Sequence, residues 1–170
     1  MSTGKVPTWE ERNAAYLALS LRWLRLRLHR YIDLQEQRVQ TPEATRERAS
    51  VAASRAAAAR SAPAPALVAL AQRLELSSFE RDTVLLAAAP DLDPGIGMLI
   101  AKASQNPAFA NPRPLLALLL LPRPRFEAFA PGAALRRERL IDLLPVPTGA
   151  LITAPMRAGV GVVEFLKGGG

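Results

Sequence analysis

Few side chains in this chain could perform chemistry, and their spacing points away from catalysis. His29 is the sole histidine and there is no cysteine. A metal site would need carboxylates around one imidazole, and no converging ligand spacing exists. His29 lies among arginines with no nucleophile-elbow serine, so the expected role is a solvated histidine on a helix surface. Asp91 and Asp93 pair two carboxylates, but they stand directly before Pro94, the position of caps on a proline-started helix. Ser77 and Glu80 have capping-box spacing. Glu80, Arg81 and Asp82 are then expected as capping and surface charge, with Phe79 plugging the core. No G-x-x-x-x-G-K-[ST] run exists, and Gly95-Ile96-Gly97 lacks the rest of any phosphate motif. The residues thus predict no catalytic, cofactor-binding or metal-ligating site, no cofactor, and no enzyme activity in the chain itself.

Arginine carries the remaining candidates. Arg22, Trp23, Arg25, Leu26 and Arg30 share one long helical pattern and are the expected partner-binding residues. Arg136, Arg137 and Arg139 precede a hairpin pattern, where they could touch nucleic-acid phosphates; the plain alternative is a solvated face with Glu138 interleaved. Base readout would want Arg, Asn, Gln or Ser on a helix in the major groove. The nearest candidate, RFEAFA, offers one acid and two phenylalanines, and the expected wing, PVPTG, has no basic tip.

The elements that must position these residues follow from period and punctuation. Trp9 to about Gln37 reads as one helix, with Tyr16, Leu17, Leu21, Leu24, Leu28 and Ile32 at spacings of three and four. Leu19, Trp23 and Leu26 form a second apolar row, to be buried in the domain or packed on another chain, or laid on an anionic membrane. Thr41-Pro42 restarts a helix through an Ala/Arg segment that buries little and could fray. Residues 61–66, SAPAPA, read as a linker. Helices are expected at about 66–75, 78–89, 94–105 and 114–121, the last apolar all round and the most buried. A turn follows at RFEAFA, with another helical turn at 131–136. Arg139 to Leu144 and Ala150 to Ala154 read as hairpin strands around the loop Pro145 to Gly149, and 159–166 as a helix or a third strand.

Length and composition fit one compact domain with an arm: 1–60 as an N-terminal helical arm, 61–66 as linker, and 67–170 as a helical, winged-helix-like domain. The fold class is mainly α (α+β), a helical bundle ending in a winged-helix-like part with a small β-hairpin wing. The formal charge of +7 is uneven. Residues 1–60 hold 11 Lys/Arg against 6 Asp/Glu, so attraction to acidic partners should originate there. The start has no secretory character, and the longest apolar run, Leu115 to Leu121, is too short to cross a bilayer, giving a soluble, cytoplasmic expectation without a membrane partner.

The segments RLELSSFERDTVLLAAAPDLDPGIG, RPLLALLLLP, LRRERLIDL, ALITAPMR and VVEFLKG together resemble the N-terminal, winged-helix-containing region of a group of bacterial AAA+ ATPases. Members of that group occur with extracellular contractile injection systems, the phage-tail-like particles. TWEERNAAYLALSLRWLRLRL is similar to the start of the same proteins. The resemblance covers most of the chain except 41–66. It departs at Ala158-Gly159-Val160-Gly161, where the family carries acidic residues. It implies a non-catalytic adaptor or regulatory domain that binds protein, either particle components or the rest of an ATPase, or helps an oligomer assemble. The ATPase module would lie outside the chain. The competing reading is a winged-helix nucleic-acid-binding regulator.

Overall fold

The computed structural model describes residues 4–146 and 149–169. Helix α1, Trp9–Gln35, starts where the Thr8 hydroxyl accepts the Glu11 amide at 3.1 Å. Helix α2, Pro42–Ala59, starts in the same way at Thr41. The Ala/Arg segment is therefore a full helix rather than a frayed one, laid along α1 and burying Val51 and Arg55. Alanine gives it little apolar area, so its attachment relies on those two side chains.

Residues 61–65 do not hang free. The Trp9 indole donates to the Ala64 carbonyl at 2.9 Å, and Arg12 donates to the Ala62 carbonyl at 3.1 Å. Buried Asn13 accepts the Ala66 amide at 2.8 Å and donates to the Leu166 carbonyl at 3.1 Å. One amide side chain thus ties α1 to the start of α3, Ala66–Arg73, and to the end of the last helix. The segment expected as an arm contributes Tyr16, Leu24, Leu28 and Ile32 to the same core as the rest of the chain.

The centre of that core is α4, Ser78–Leu92, not the Leu-rich helix expected there. Its capping box is complete, Glu80 N–H to Ser77 Oγ at 3.1 Å and Ser77 N–H to Glu80 Oε1 at 3.0 Å. Every residue from Asp82 to Ala89 is buried, the mark of a helix enclosed on all sides. Phe79 fills the core as expected and meets Phe129 edge-on, centroids 5.9 Å apart. Its complete burial contributes about 2 kcal/mol of transfer free energy. The helix runs past Pro90, because the Asp93 amide still bonds the Ala89 carbonyl at 2.8 Å. Asp93 then caps α5, Pro94–Ala103, through the Gly95 amide at 3.0 Å. The two helices meet at 115°, within the range of a helix-turn-helix corner.

Helix α6, Pro114–Leu120, buries Leu116, Ala117 and Leu120 but leaves Leu115 and Leu119 exposed. A two-turn helix against α1 covers one face only, so an all-apolar sequence here does not mean all-round burial. A 3-10 turn at Phe126–Phe129 and the short α7, Ala134–Arg137, lead into β1, Ile141–Leu143. Its antiparallel partner β2 is Met156–Ala158, with Ile141 opposite Ala158 and Leu143 opposite Met156. The expected second strand at Ala150–Ala154 is instead a 3-10 turn, Leu151–Thr153, closed by Thr153 Oγ1 donating to the Ala150 carbonyl. Of the expected hairpin loop, Pro147 and Thr148 lie outside the described residues. The ambiguous 159–166 stretch ends in a helix, α8, Val162–Leu166.

Asp82 corrects a further expectation. It is not surface charge but buried, gripped at one oxygen by Arg55 at 2.9 Å and Arg81 at 3.1 Å. Burial opposes the Arg81 charge, but the Asp82 charge and hydrogen bond outweigh it and hold its pKa above the ordinary arginine value.

Gly159 shows how tightly the wing is closed. Its amide bonds the Leu140 carbonyl at 2.9 Å, and a β-carbon there would stand 1.9 Å from the Arg139 carbonyl oxygen. Gly159→Ala should therefore lower unfolding stability by about 3 kcal/mol in a denaturant titration. Gly132→Ala, where a β-carbon meets nothing within 4 Å, should change it by less than about 0.5 kcal/mol.

Candidate functional site

The α1 residues expected to bind a partner separate once α2, α4 and α6 are packed around them. Arg22 is paired with Glu47 across to α2 at 2.9 Å, both half exposed. Arg25 reaches the Asp93 cap between α4 and α5. Trp23 is mostly buried, with the Arg55 guanidinium 4.2 Å from its ring centroid and that of Arg27 at 5.3 Å. Cation–π stacking on both arginines holds most of the ring inside. Leu26 and Arg30 remain nearer the surface, and the structure brings them together with Trp23 in one groove.

That groove, about 310 Å³, runs between α1, α2 and α6. Trp23, Arg27 and Tyr31 form one ridge along α1, with Leu26, Arg30 and Leu34 on the adjoining one. Ala49 and Ala52 of α2 form a low floor, and Leu119 and Leu120 close the far wall. Leu34 and Leu119 are 52% and 59% exposed, although both are large apolar side chains. Three guanidinium groups, Arg27, Arg30 and Arg48, enter the groove, and no carboxylate lines it. Arg27 donates twice to the Leu120 carbonyl, at 3.0 and 2.6 Å, satisfying the orphan acceptor at the end of α6. Burial lowers its pKa first, and the like charge of Arg30 adds to that. Arg48 is steadied by Gln40 Oε1 at 2.9 Å. The result is positive charge and apolar surface side by side.

Arg27, Arg48, Leu34 and Leu119 were missing from the residues predicted on sequence. Leu34 continues the Leu26–Arg30 row by one further turn, a signal present in the periodicity. Arg48 and Leu119 come from other helices, and only the packing brings them to α1.

The second arginine cluster is held differently. Arg136 donates to the Phe129 carbonyl at 3.3 Å, and Arg137 to the Gly132 carbonyl at 2.9 Å and to Glu138 at 3.3 Å. Arg139 occupies the left-handed region with φ 54°, closing α7 through the Leu140 amide bonded to the Leu135 carbonyl at 2.9 Å. His29 is exposed on α1, as expected. Among the described residues no three His, Asp or Glu side chains converge on a metal-sized site. Nor is any single helix long and apolar enough to cross a membrane.

A helix pair meeting at 115° followed by a two-stranded hairpin fits the arrangement of a winged helix, and the family model described as "Winged helix domain, variant" matches residues 35–170. The chain belongs to that family. No curated protein and no solved structure matches it. Winged helix domains can bind nucleic acid through the helix after the turn or the helix before the wing. Here the first is α5, whose exposed face offers Met98 and Lys102; the helix directly before β1 is the short α7, ALRR. α5 carries no Arg, Asn or Gln for a base edge, and Arg136 and Arg137 of α7 already donate to the Phe129 and Gly132 carbonyls. Fluorescence anisotropy with duplex DNA at near-physiological salt should therefore show dissociation constants weaker than about 10 µM, steeply salt-dependent and without sequence preference. Sub-micromolar, sequence-selective binding would contradict this.

Proposed function

We propose that this winged helix chain is a non-catalytic adaptor or regulatory domain, and that the α1–α2–α6 groove is where it docks a protein partner. The observation that carries the reading is the groove's composition: half-exposed leucines beside three arginines, with no acidic side chain of its own. Exposed apolar surface of this kind, rimmed by polar groups, marks interaction sites in ordinary domains. The sequence resemblance supports a finer reading, in which the chain forms the N-terminal part of an AAA+ ATPase serving a contractile injection system. The domain would select the component to be assembled or remodelled, and an ATPase ring outside the chain would supply force. This step rests on analogy of sequence.

The test places a photo-crosslinking amino acid at Leu119 in the source cells. The expected product is a discrete protein adduct, an injection-particle component on the finer reading, lost when Leu26→Asp is added. The purified 170-residue chain should release no phosphate from ATP above the buffer rate. Adducts to nucleic acid, or ATP turnover by the chain alone, would overturn the proposal.

A further inference from the structure

The groove's shape and charge narrow the kind of partner it accepts. Its α1 wall runs from Trp23 to Leu34. At 1.5 Å per residue that wall is about 17 Å long, the length of a helix of about three turns. The floor is made of alanines, Ala49 and Ala52, so a backbone cylinder can approach α2 closely while larger side chains reach the walls. Leu26, Leu34 and Leu119 offer apolar contact on both sides; Leu26 is half-buried against the core, whereas Leu34 and Leu119 are exposed. Arg30 has no ion-pair partner among the described residues, and Arg27 and Arg48 bond only neutral oxygens. Arg22 and Arg25, on the same helix, are instead paired with Glu47 and Asp93. In the groove, positive charge without a carboxylate partner stands beside uncovered apolar surface.

From this coincidence we infer that the groove takes an acidic, amphipathic helical segment of about three turns from the partner protein. Its leucine-like residues, spaced three and four apart, fill the space between Leu26, Leu34 and Leu119, and its flanking carboxylates meet Arg27, Arg30 and Arg48. This is helix-in-groove recognition, with apolar anchors supplying most of the affinity and charge setting orientation and selectivity. An extended strand fits less well, because the groove walls are helices and leave no open sheet edge to extend. Duplex DNA offers the charge but nothing for the leucines. The inference rests on the docking reading above.

The test uses the full 170-residue chain and a fluorescein-labelled synthetic peptide of glutamate, alanine and leucine, with leucine at i, i+3, i+4 and i+7. Two controls accompany it, a lysine-for-glutamate twin and a scrambled peptide of the same composition. Anisotropy should report a dissociation constant of about 50 µM or tighter for the acidic peptide, and at least about tenfold weaker binding for both controls. Leu34→Asp and Leu119→Asp should each abolish binding, and Arg30→Glu should reverse the preference toward the lysine twin. All three positions are solvent-facing, so circular dichroism and unfolding midpoints should stay near wild type. Equal binding of the scrambled peptide, equal binding of the lysine twin, or no binding of the acidic peptide would each overturn the inference. If the peptide fails while Leu119 still crosslinks to a protein, the acidic-helix assignment falls and the docking reading survives. If both fail, both fall.

Discussion

Arg55 and Asp82 meet 2.9 Å apart with side-chain exposures of 8% and 2%, and three helices converge on that contact. From α2, the guanidinium Nη2 donates to Asp82 on α4, and Nε donates to Ser20 on α1 at 2.9 Å. Its flat face lies over Trp23 at 4.2 Å and faces Tyr16 at 5.7 Å. Removing two charges from water costs several kcal/mol per ion, and only good geometry with further hydrogen bonds offsets it. Here the geometry is good. Arginine suits the position because one planar group can hydrogen-bond in its plane and stack above it. Alanine-rich α2 buries only Val51 besides Arg55, so the ion pair decides where α2 rests.

The groove follows from that placement. With α2 fixed along α1, Ala49, Ala52 and Arg48 face the α1 ridge, and α6 completes the wall from the other side. Trp23 takes part in both: its face holds Arg55 and its edge reaches the groove. A residue that looks on sequence like a surface anchor thus also serves as an internal strut. The Arg55–Asp82 charges are neutralised inside, whereas Arg27, Arg30 and Arg48 stand beside uncovered leucines.

Helix starts were legible in the sequence, and the expected ends at about 37, 75 and 105 fall within two residues of Gln35, Arg73 and Ala103. Thr8, Thr41, Ser77 and Asp93 all cap as their residue types indicate, because an N-cap is a local hydrogen bond between near neighbours. Four helices end instead with Gln37, Glu75, Gln105 and Arg139 in the left-handed region. In each, the following amide bonds back five residues, as Arg38 does to Asp33 and Leu76 to Ala71. Glycine is the usual marker of that ending; here Gln, Glu and Arg take its place. The fold class could be read because helix periodicity and a late hairpin survive in one dimension. The burial of Asp82 and the exposure of Leu119 could not, since both depend on which helix packs opposite. For the site, Leu26 and Arg30 were recognisable from α1 alone, whereas Arg48 and Leu119 needed the three-helix arrangement.

The most direct test of the pair's central role is a double-mutant cycle on Arg55→Met and Asp82→Asn, read by urea unfolding. Asp82→Asn should cost about 3–5 kcal/mol, since it leaves buried Arg55 without its counter-charge. Arg55→Met should cost less, because Arg81 still holds Asp82 at 3.1 Å. The double variant should fall short of the summed losses by about 2 kcal/mol. Additive losses, or single substitutions each within about 0.5 kcal/mol of wild type, would contradict a fold organised around this contact.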